Sequence, residues 1–513
     1  MRRPFAPTEG QFPNTVENAD FGRCFKKNTI TERCPIMQMI INGEYRDSRS
    51  GKTFDNINPY TGELVCKVAS GTAEDFEEAA KIAKASQPAW AATPFYERAA
   101  IIKRFVAYVR EDLEKIAKVV TAEGGKTITD ARGELECLCM VFESFLEAAR
   151  HLYGNSVPLN AEPRTQGDII FTVREPIGVF ATITPFNFPI ELYAHKVAPV
   201  IITGNAVIIK PASDTPMAAM MLTELLLKAG VPAGVCHFIT GSGREVGAWL
   251  SQTTNIDGVS FTGSTPVGRE LMKGGAHNLQ HVFLELGGND PYVVFDSADM
   301  EVAVREAVGG RVYNAGQTCC ANKRFIIQNT VKAEFTEKLI AALKEVKVGD
   351  PADPATAMGC LVSEKAAKGI EEEINKVIAD GGKLLYGGKR NGAFIDPTVI
   401  EVSKDSEVAN DLEIFGPVFP IIGFDTFDEA VEIANQTSFG LSSGVITQDI
   451  NLAMKFANKV QAGTCVINSS GNYRSVHQPF GGYKQTGIGR EGTSHTLYEV
   501  TQEKSIVIKN CLK

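Results

Sequence analysis

Short apolar runs separated by amphipathic stretches set the pattern of this chain. Between Val179 and Gly288 the runs Val179-Phe-Ala-Thr-Ile, Ala206-Val-Ile-Ile, Cys236-His-Phe-Ile, Gly258-Val-Ser-Phe and Val282-Phe-Leu-Glu are β-rich. They alternate with helical stretches such as Met217 to Ala229. Crossovers of this kind predict a parallel, doubly wound α/β sheet whose ligands sit beyond the strand C-termini. Upstream, Ile40-Ile-Asn-Gly-Glu-Tyr predicts a hairpin on an Asn-Gly turn. Apolar residues three and four apart then predict helices over Glu74 to Ser86 and Tyr96 to Thr121, with Ala131 to Tyr153 also helical.

A second α/β alternation starts after Asn289. Its predicted strands are Pro291-Tyr-Val-Val-Phe, Phe325-Ile-Ile, Val418-Phe-Pro-Ile-Ile, Gly444-Val-Ile and Thr464-Cys-Val-Ile. The helices between them are predicted over Glu301 to Arg311, Ala333 to Leu343, Glu364 to Asp380 and Phe427 to Asn435. Two further strand-like runs, Asp168 to Arg174 and Ser505 to Lys509, belong to neither core and need a partner.

A length of 513 residues suits two or three domains, and 44% apolar with 22% charged residues is the composition of a globular protein. The net charge of −9, with basic residues spread along the chain, argues against a nucleic-acid partner. Eleven cysteines without a CxxC pair indicate a reducing compartment, the cytoplasm, rather than a disulfide framework. Cys137 and Cys139 stand two apart on a predicted helix and cannot share a face, and His277 and His281 lack a neighbouring carboxylate motif, so no metal is expected. The most apolar stretch, Val197 to Ile209, is interrupted by Pro199, Gly204 and Asn205, so no membrane span is expected. Residues 1 to 35 contain no apolar run of signal-peptide length and are expected to form a loosely attached extension.

Three residues stand out chemically. Cys319 follows a Gly-Gln turn where helix-like sequence gives way to a strand, a junction at which a helix N-terminus could lower a thiol pKa. Glu285 ends an apolar strand and precedes two glycines, so its carboxylate could meet a bound water. Asn187 lies in a Pro-bracketed loop at another strand end, a place for an amide that holds an oxyanion. Singly, each fits an ordinary structural role, since a lone cysteine is usually a small buried hydrophobe.

Their context resembles the NAD(P)-dependent aldehyde dehydrogenase superfamily. The segments Thr184-Pro-Phe-Asn-Phe-Pro, Lys210-Pro-Ala-Ser213, Phe261-Thr-Gly-Ser-Thr-Pro-Val-Gly268, Leu284-Glu-Leu-Gly-Gly288, Gly316-Gln-Thr-Cys319, Glu413-Ile-Phe-Gly-Pro-Val418 and Pro479-Phe-Gly-Gly-Tyr-Lys484 follow that family's order and spacing, from about Ile40 to Ile508. The resemblance implies two doubly wound α/β domains plus a β-strand arm that joins a homodimer or homotetramer. In these terms residues 36–152 and 176–287 form the NAD(P)-binding domain, 288–487 the catalytic domain, and 153–175 with 488–513 the oligomerisation arm. It also implies Cys319 as nucleophile, Glu285 as base and Asn187 as oxyanion donor. Because CoA-acylating relatives generally lack the glutamate, Glu285 implies hydrolysis to a carboxylic acid.

For the cofactor the resemblance implies Ile183, Pro185, Lys210, Ser213, Gly243, Gly263, Ser264, Gly268, Glu413 and Phe415. Read from residues alone, Ser264 opening a helix fits either an anion site or a plain N-cap, and Lys210 fits a solvated turn equally well. An acidic residue at position 213 would repel a 2′-phosphate; Ser213 leaves either NAD or NADP open. The arginine clamp of succinate-semialdehyde enzymes aligns with His195 and Tyr313, and the arginine that precedes the nucleophile in phosphorylated-aldehyde enzymes is Thr318. The loop containing Arg474 looks most like that of lactaldehyde and small-aldehyde dehydrogenases, so a short aliphatic or hydroxylated aldehyde is expected. The alternative is an anionic semialdehyde held by Arg474, His195 and Arg132, with Arg474 otherwise pinning its loop.

Overall fold

The computed structural model describes residues 36–511 apart from 158, 160 and 161, so the expected extension over residues 1–35 lies outside the described residues. The first unit is an eight-stranded sheet. Its parallel centre runs, in spatial order, His281–Glu285, Gly258–Thr262, Val179–Ile183, Ala206–Lys210 and Cys236–Phe238. Val179–Ile183 and Ala206–Lys210 are buried at every position, as helices on both faces require. Each large aliphatic side chain so buried contributes about 1.5–3 kcal/mol. Strand order reverses beside Val179–Ile183, whose neighbours are the second and fourth parallel strands in chain order. A crevice opens at such a point.

The hairpin Met39–Ile41 and Glu44–Arg46 turns through Asn42 and Gly43, both with positive φ, and extends one edge of this sheet. The helix predicted over Tyr96 to Thr121 is two helices, Phe95–Glu111 and Leu113–Gly124, which break at Asp112 (φ −95°, ψ 8°). Both bury apolar residues, so the periodicity runs unbroken through the joint. Ala73–Ala92 outlasts its predicted end at Ser86 and runs through Pro88, its far turn anchored by Trp90, whose indole N–H donates to Ile201 O at 3.1 Å.

The second unit is a seven-stranded sheet in the order Lys383–Tyr386, Thr398–Glu401, Val418–Phe424, Arg324–Gln328, Pro291–Val294, Gly444–Ile446 and Val466–Ile467, parallel except for its first pair. Arg324 is buried, and its guanidinium donates to the carbonyls of Asn289, Ala409, Ile433 and Ala434, tying the turn before the neighbouring strand Pro291–Val294 to the end of helix Phe427–Asn435 and to the short turn Glu407–Ala409.

The two strands without a predicted partner find each other. Ile169–Pro176 pairs antiparallel with Thr501–Ile508 along their full length, and Ser156–Val157 adds a third strand. The chain also crosses back: Gly487–Ile488 pairs with the end of His281–Glu285, and Thr493–Glu499 packs on Ile128–Ala149 and Glu191–Ile202. The strand that pairs with Ile169–Pro176 begins at Thr501.

Candidate active site

The nucleophile candidate sits in a strained turn. After helix Met300–Val312, residues Asn314, Ala315 and Gly316 have φ of 50°, 53° and 75°. A left-handed alanine costs on the order of 1–2 kcal/mol, so the surroundings must impose it. Asn314 Nδ2 donates to Asn187 O at 2.9 Å, and the Asn187 amide in turn donates to Gln317 O at 2.9 Å. Gln317 is itself fixed by donating to Asn314 O and accepting from Val362 N. A Cβ on Gly316 would lie 2.3 Å from Gly416 O, so the turn rests backbone to backbone on the segment that follows Phe415. An amide has two N–H groups, and Asn187 spends one of them on Gln317.

Cys319 lies in the turn between that helix and Arg324–Gln328, not at a helix N-terminus. Its thiol is therefore not lowered in the way the sequence suggested. A thiol hydrogen bond with Cys320, then burial, push it well above the ordinary range, while Lys323 and Arg474 pull it down. Cys320 shares that bond and packs with Leu441 and Phe480.

Glu285 ends its strand as predicted, is 7% exposed, and its Oε2 has no partner. Burial, then the Glu491 charge, raise its pKa well above the carboxylate range; Lys196 and Arg474 oppose them, and the charge of Cys319 adds to the rise. Gly481 leaves the carboxylate its room, since a Cβ there would stand 2.8 Å from Glu285 Oε1.

Behind Glu285 is a buried ionic cluster that the sequence did not reveal. Glu491 accepts from Lys196 at 3.1 Å and from Arg474 Nη2 at 2.8 Å. Burial would raise Glu491, but Lys196, His195 and Arg474 lower it to about 2. His195 is 2% exposed and 3.5 Å from Arg474 Nη2, and burial with the Arg474 charge lowers it to about 3. The imidazole is neutral at pH 7. Arg474 lies 3.7 Å over the Phe480 ring with Nη1 unpartnered, so it both pins its loop and keeps donor capacity. Arg132 is elsewhere: it pairs with Glu114 on the surface at 2.8 Å and does not join this clamp.

A cleft of about 690 Å³ opens at the strand-order reversal. Ile183, Lys210, Gly243, Phe261 and the helix Thr265–Gly275 are among its walls. Burial brings Lys210 down to about 8, with Asp214 opposing, which leaves a cation at a strand end suited to a polar or anionic ligand. Ser264 is the N-cap of Thr265–Gly275 yet makes no side-chain cap bond. Gly263 and Gly268 serve packing more than ligand approach: a Cβ would come within 2.4 Å of the Phe261 ring and 2.5 Å of Leu286 respectively. Pro185 follows Ile183 in the loop, and Ser213 is exposed beyond Lys210. Past the strand end that carries Glu285, Glu413 Oε1 accepts from Gly288 N at 3.3 Å, and Phe415 meets Phe186 edge to face at 6.0 Å. A dinucleotide fits this set, with a buried cation and a bare helix N-terminus at one end and a carboxylate and an aromatic ring at the other.

Residues 45–506 match the profile of the aldehyde dehydrogenase family. The chain belongs to the aldehyde dehydrogenase family. It is 37% identical to a glutarate-semialdehyde dehydrogenase of Pseudomonas putida, over 92% of this chain and 97% of that protein. It is 36% identical to a 3-sulfolactaldehyde dehydrogenase of Pseudomonas putida, over 92% and 96%. Among solved structures, a betaine aldehyde dehydrogenase of Staphylococcus aureus in complex with NAD+ superposes with a TM-score of 0.89 at 34% identity, over 92% of this chain and 97% of that one. As an aldehyde dehydrogenase the protein is an oxidoreductase that uses NAD or NADP and oxidises an aldehyde. No helix among the described residues is long and apolar enough to cross a membrane.

Proposed function

We propose that the protein oxidises a short aldehyde to its carboxylic acid through a thioester on Cys319, with Asn187 and Glu285 as partners. The observation that carries this reading is that the strained turn bearing Cys319 is bonded to the Asn187 amide and lies within the field of the Glu285 carboxyl.

The Cys319 thiolate attacks the aldehyde carbon and forms a C–S bond, and the carbonyl oxygen becomes an oxyanion. The free N–H of Asn187 and the Cys319 backbone N–H hold that charge. Bound in the cleft, the dinucleotide supplies the hydride acceptor. Lys210, Ile183 and the start of Thr265–Gly275 would hold its adenosine diphosphate portion, and Glu413 and Phe415 its nicotinamide portion. Loss of the hydride leaves the thioester. Glu285 then takes a proton from water, the hydroxyl adds, and the thiolate departs as the acid forms.

The first unit serves as cofactor-binding domain, the second as catalytic domain, and the three-stranded sheet as oligomerisation arm of a dimer or tetramer. Eleven cysteines without a CxxC pair support the cytoplasm as its compartment.

A second reading concerns the far end of the substrate. Arg474 and Lys196 share one carboxylate, Glu491, and Arg474 Nη1 is unpartnered, which favours a hydroxylated or anionic tail over a purely aliphatic one. Both curated relatives are named for aldehydes with an acidic group.

Reduction of NAD and NADP over a panel of neutral and anionic aldehydes tests both readings. Cys319→Ala should abolish turnover, and activity that survives it sinks the mechanism. Arg474→Gln should lower kcat/KM about tenfold or more for an anionic aldehyde and little for propanal; equal losses on both return Arg474 to a loop-pinning role.

A further inference from the structure

Lys323 takes no part in the chemistry above, yet it touches two of its components. Four residues after Cys319, its side chain is 1% exposed. The ammonium donates to the Cys319 carbonyl and pairs with Glu413 Oε1 at 2.9 Å, 5.6 Å from the centre of the Phe415 ring. Burying an ammonium costs several kcal/mol of lost hydration, which only good partners offset. Packing alone does not require one here, since Arg324 next door already ties the backbone together through four carbonyls.

The surrounding charges define what Lys323 can do. Glu413 and Asp290 are the carboxyls near it, and burial raises Asp290 to about 7, with Lys323 the leading opposing charge. Cys319 in turn interacts with its neighbour Cys320 and with the charges of Arg474 and Glu285. Lys323, and after it Arg474, are the cations that favour the Cys319 thiolate. Its contact with Glu413 falls on Oε1, the oxygen that also accepts from Gly288 N. Two donors on one oxygen fix the carboxylate and leave Oε2 for other hydrogen bonds.

We propose that Lys323 is a positioning residue that ties Glu413 to the nucleophile's own turn and divides its charge between them, steadying the thiolate of Cys319 on one side and the cofactor-facing carboxylate on the other. The inference rests on Cys319 as nucleophile and Glu413 as a cofactor contact. Removal of the ammonium takes the favourable charge from the thiolate and frees Glu413 to rotate. Neutralising Glu413 instead leaves the whole ammonium charge to the thiolate.

The two substitutions therefore have opposite signs on the thiol, which loss of packing would not produce. The test uses the full-length enzyme without cofactor. Alkylation of Cys319 by iodoacetamide is followed by peptide mass from pH 6 to 10, and the dissociation constant of the oxidised dinucleotide is measured by calorimetry. K323M should slow Cys319 alkylation at pH 7.5 about tenfold, one pKa unit, and K323R should recover most of the rate. E413Q should speed alkylation. Both K323M and E413Q should weaken dinucleotide binding severalfold.

Alkylation that moves the same way in K323M and E413Q, or moves in neither, overturns the proposal. If K323M does not fold, E413Q decides alone, since a rate that is unchanged or slower contradicts the shared charge. Turnover surviving Cys319→Ala would remove the catalytic reading but leave this alkylation result standing, so the two failures are distinguishable.

Discussion

At the scale of single residues, the fold favours the protonated forms of the proposed nucleophile and base. Burial and a thiol hydrogen bond keep the Cys319 proton on, and burial with the Glu491 charge does the same for Glu285. Catalysis needs both protons gone. Activity should therefore rise with pH and fall as pH drops through the raised pKa of Glu285. Lys196 is among the charges that lower that pKa, so Lys196→Met should shift the acidic limb of the hydrolysis rate to higher pH. A limb that stays put or moves to lower pH in that variant argues against Glu285 as the base. The sequence put Cys319, Glu285 and Asn187 on the page because each sits beside a turn signal. It left Lys196 and Glu491 unseen, since their ion pair joins positions 295 residues apart, and neither position alone differs from a surface charge. Lys323 was hidden for a related reason: a lysine after a turn reads as solvated until the fold buries it.

At the scale of elements, the central strands of both sheets were legible because apolar runs between helical crossovers have few other solutions, whereas Lys383–Tyr386, Thr398–Glu401 and Gly487–Ile488 were not predicted. Breaks inside helical regions were not. Asp112 interrupts two helices whose buried faces follow the same periodicity, and Pro88 is carried inside a helix held by Trp90. The left-handed run Asn314 to Gly316 was also illegible, for only its glycine advertises such a conformation. The arm strands were visible, but their pairing with each other was not, because register across such a separation leaves no local trace. Among the described residues one edge of Thr501–Ile508 has no strand beside it, and Val507 and Ile508 are 50% and 45% exposed. An open apolar edge invites another chain. Sedimentation velocity should give a dimer or tetramer, reduced in mass by Val507→Asp with Ile508→Asp; a wild-type monomer at micromolar concentration contradicts the arm's role.

At the scale of the whole molecule, the site belongs to neither unit alone. The first sheet delivers Asn187 and Glu285 from its strand ends, and the second unit delivers Cys319, Lys323 and Glu413. The returning segment around Gly487–Ile488 closes the first sheet and is followed at once by Glu491. The family and the reaction type were readable from seven short segments in register, whereas the tail of the aldehyde depends on Arg474, whose contacts only folding defines. The central claim, a thioester on Cys319 that Glu285 releases, is tested most directly by the Glu285→Gln enzyme mixed with aldehyde and oxidised dinucleotide, then digested and weighed. The expected result is one acyl group on the Cys319 peptide, with a single stoichiometric burst of reduced nicotinamide and slow turnover after it. An unmodified Cys319 peptide with turnover at the wild-type rate would contradict the account.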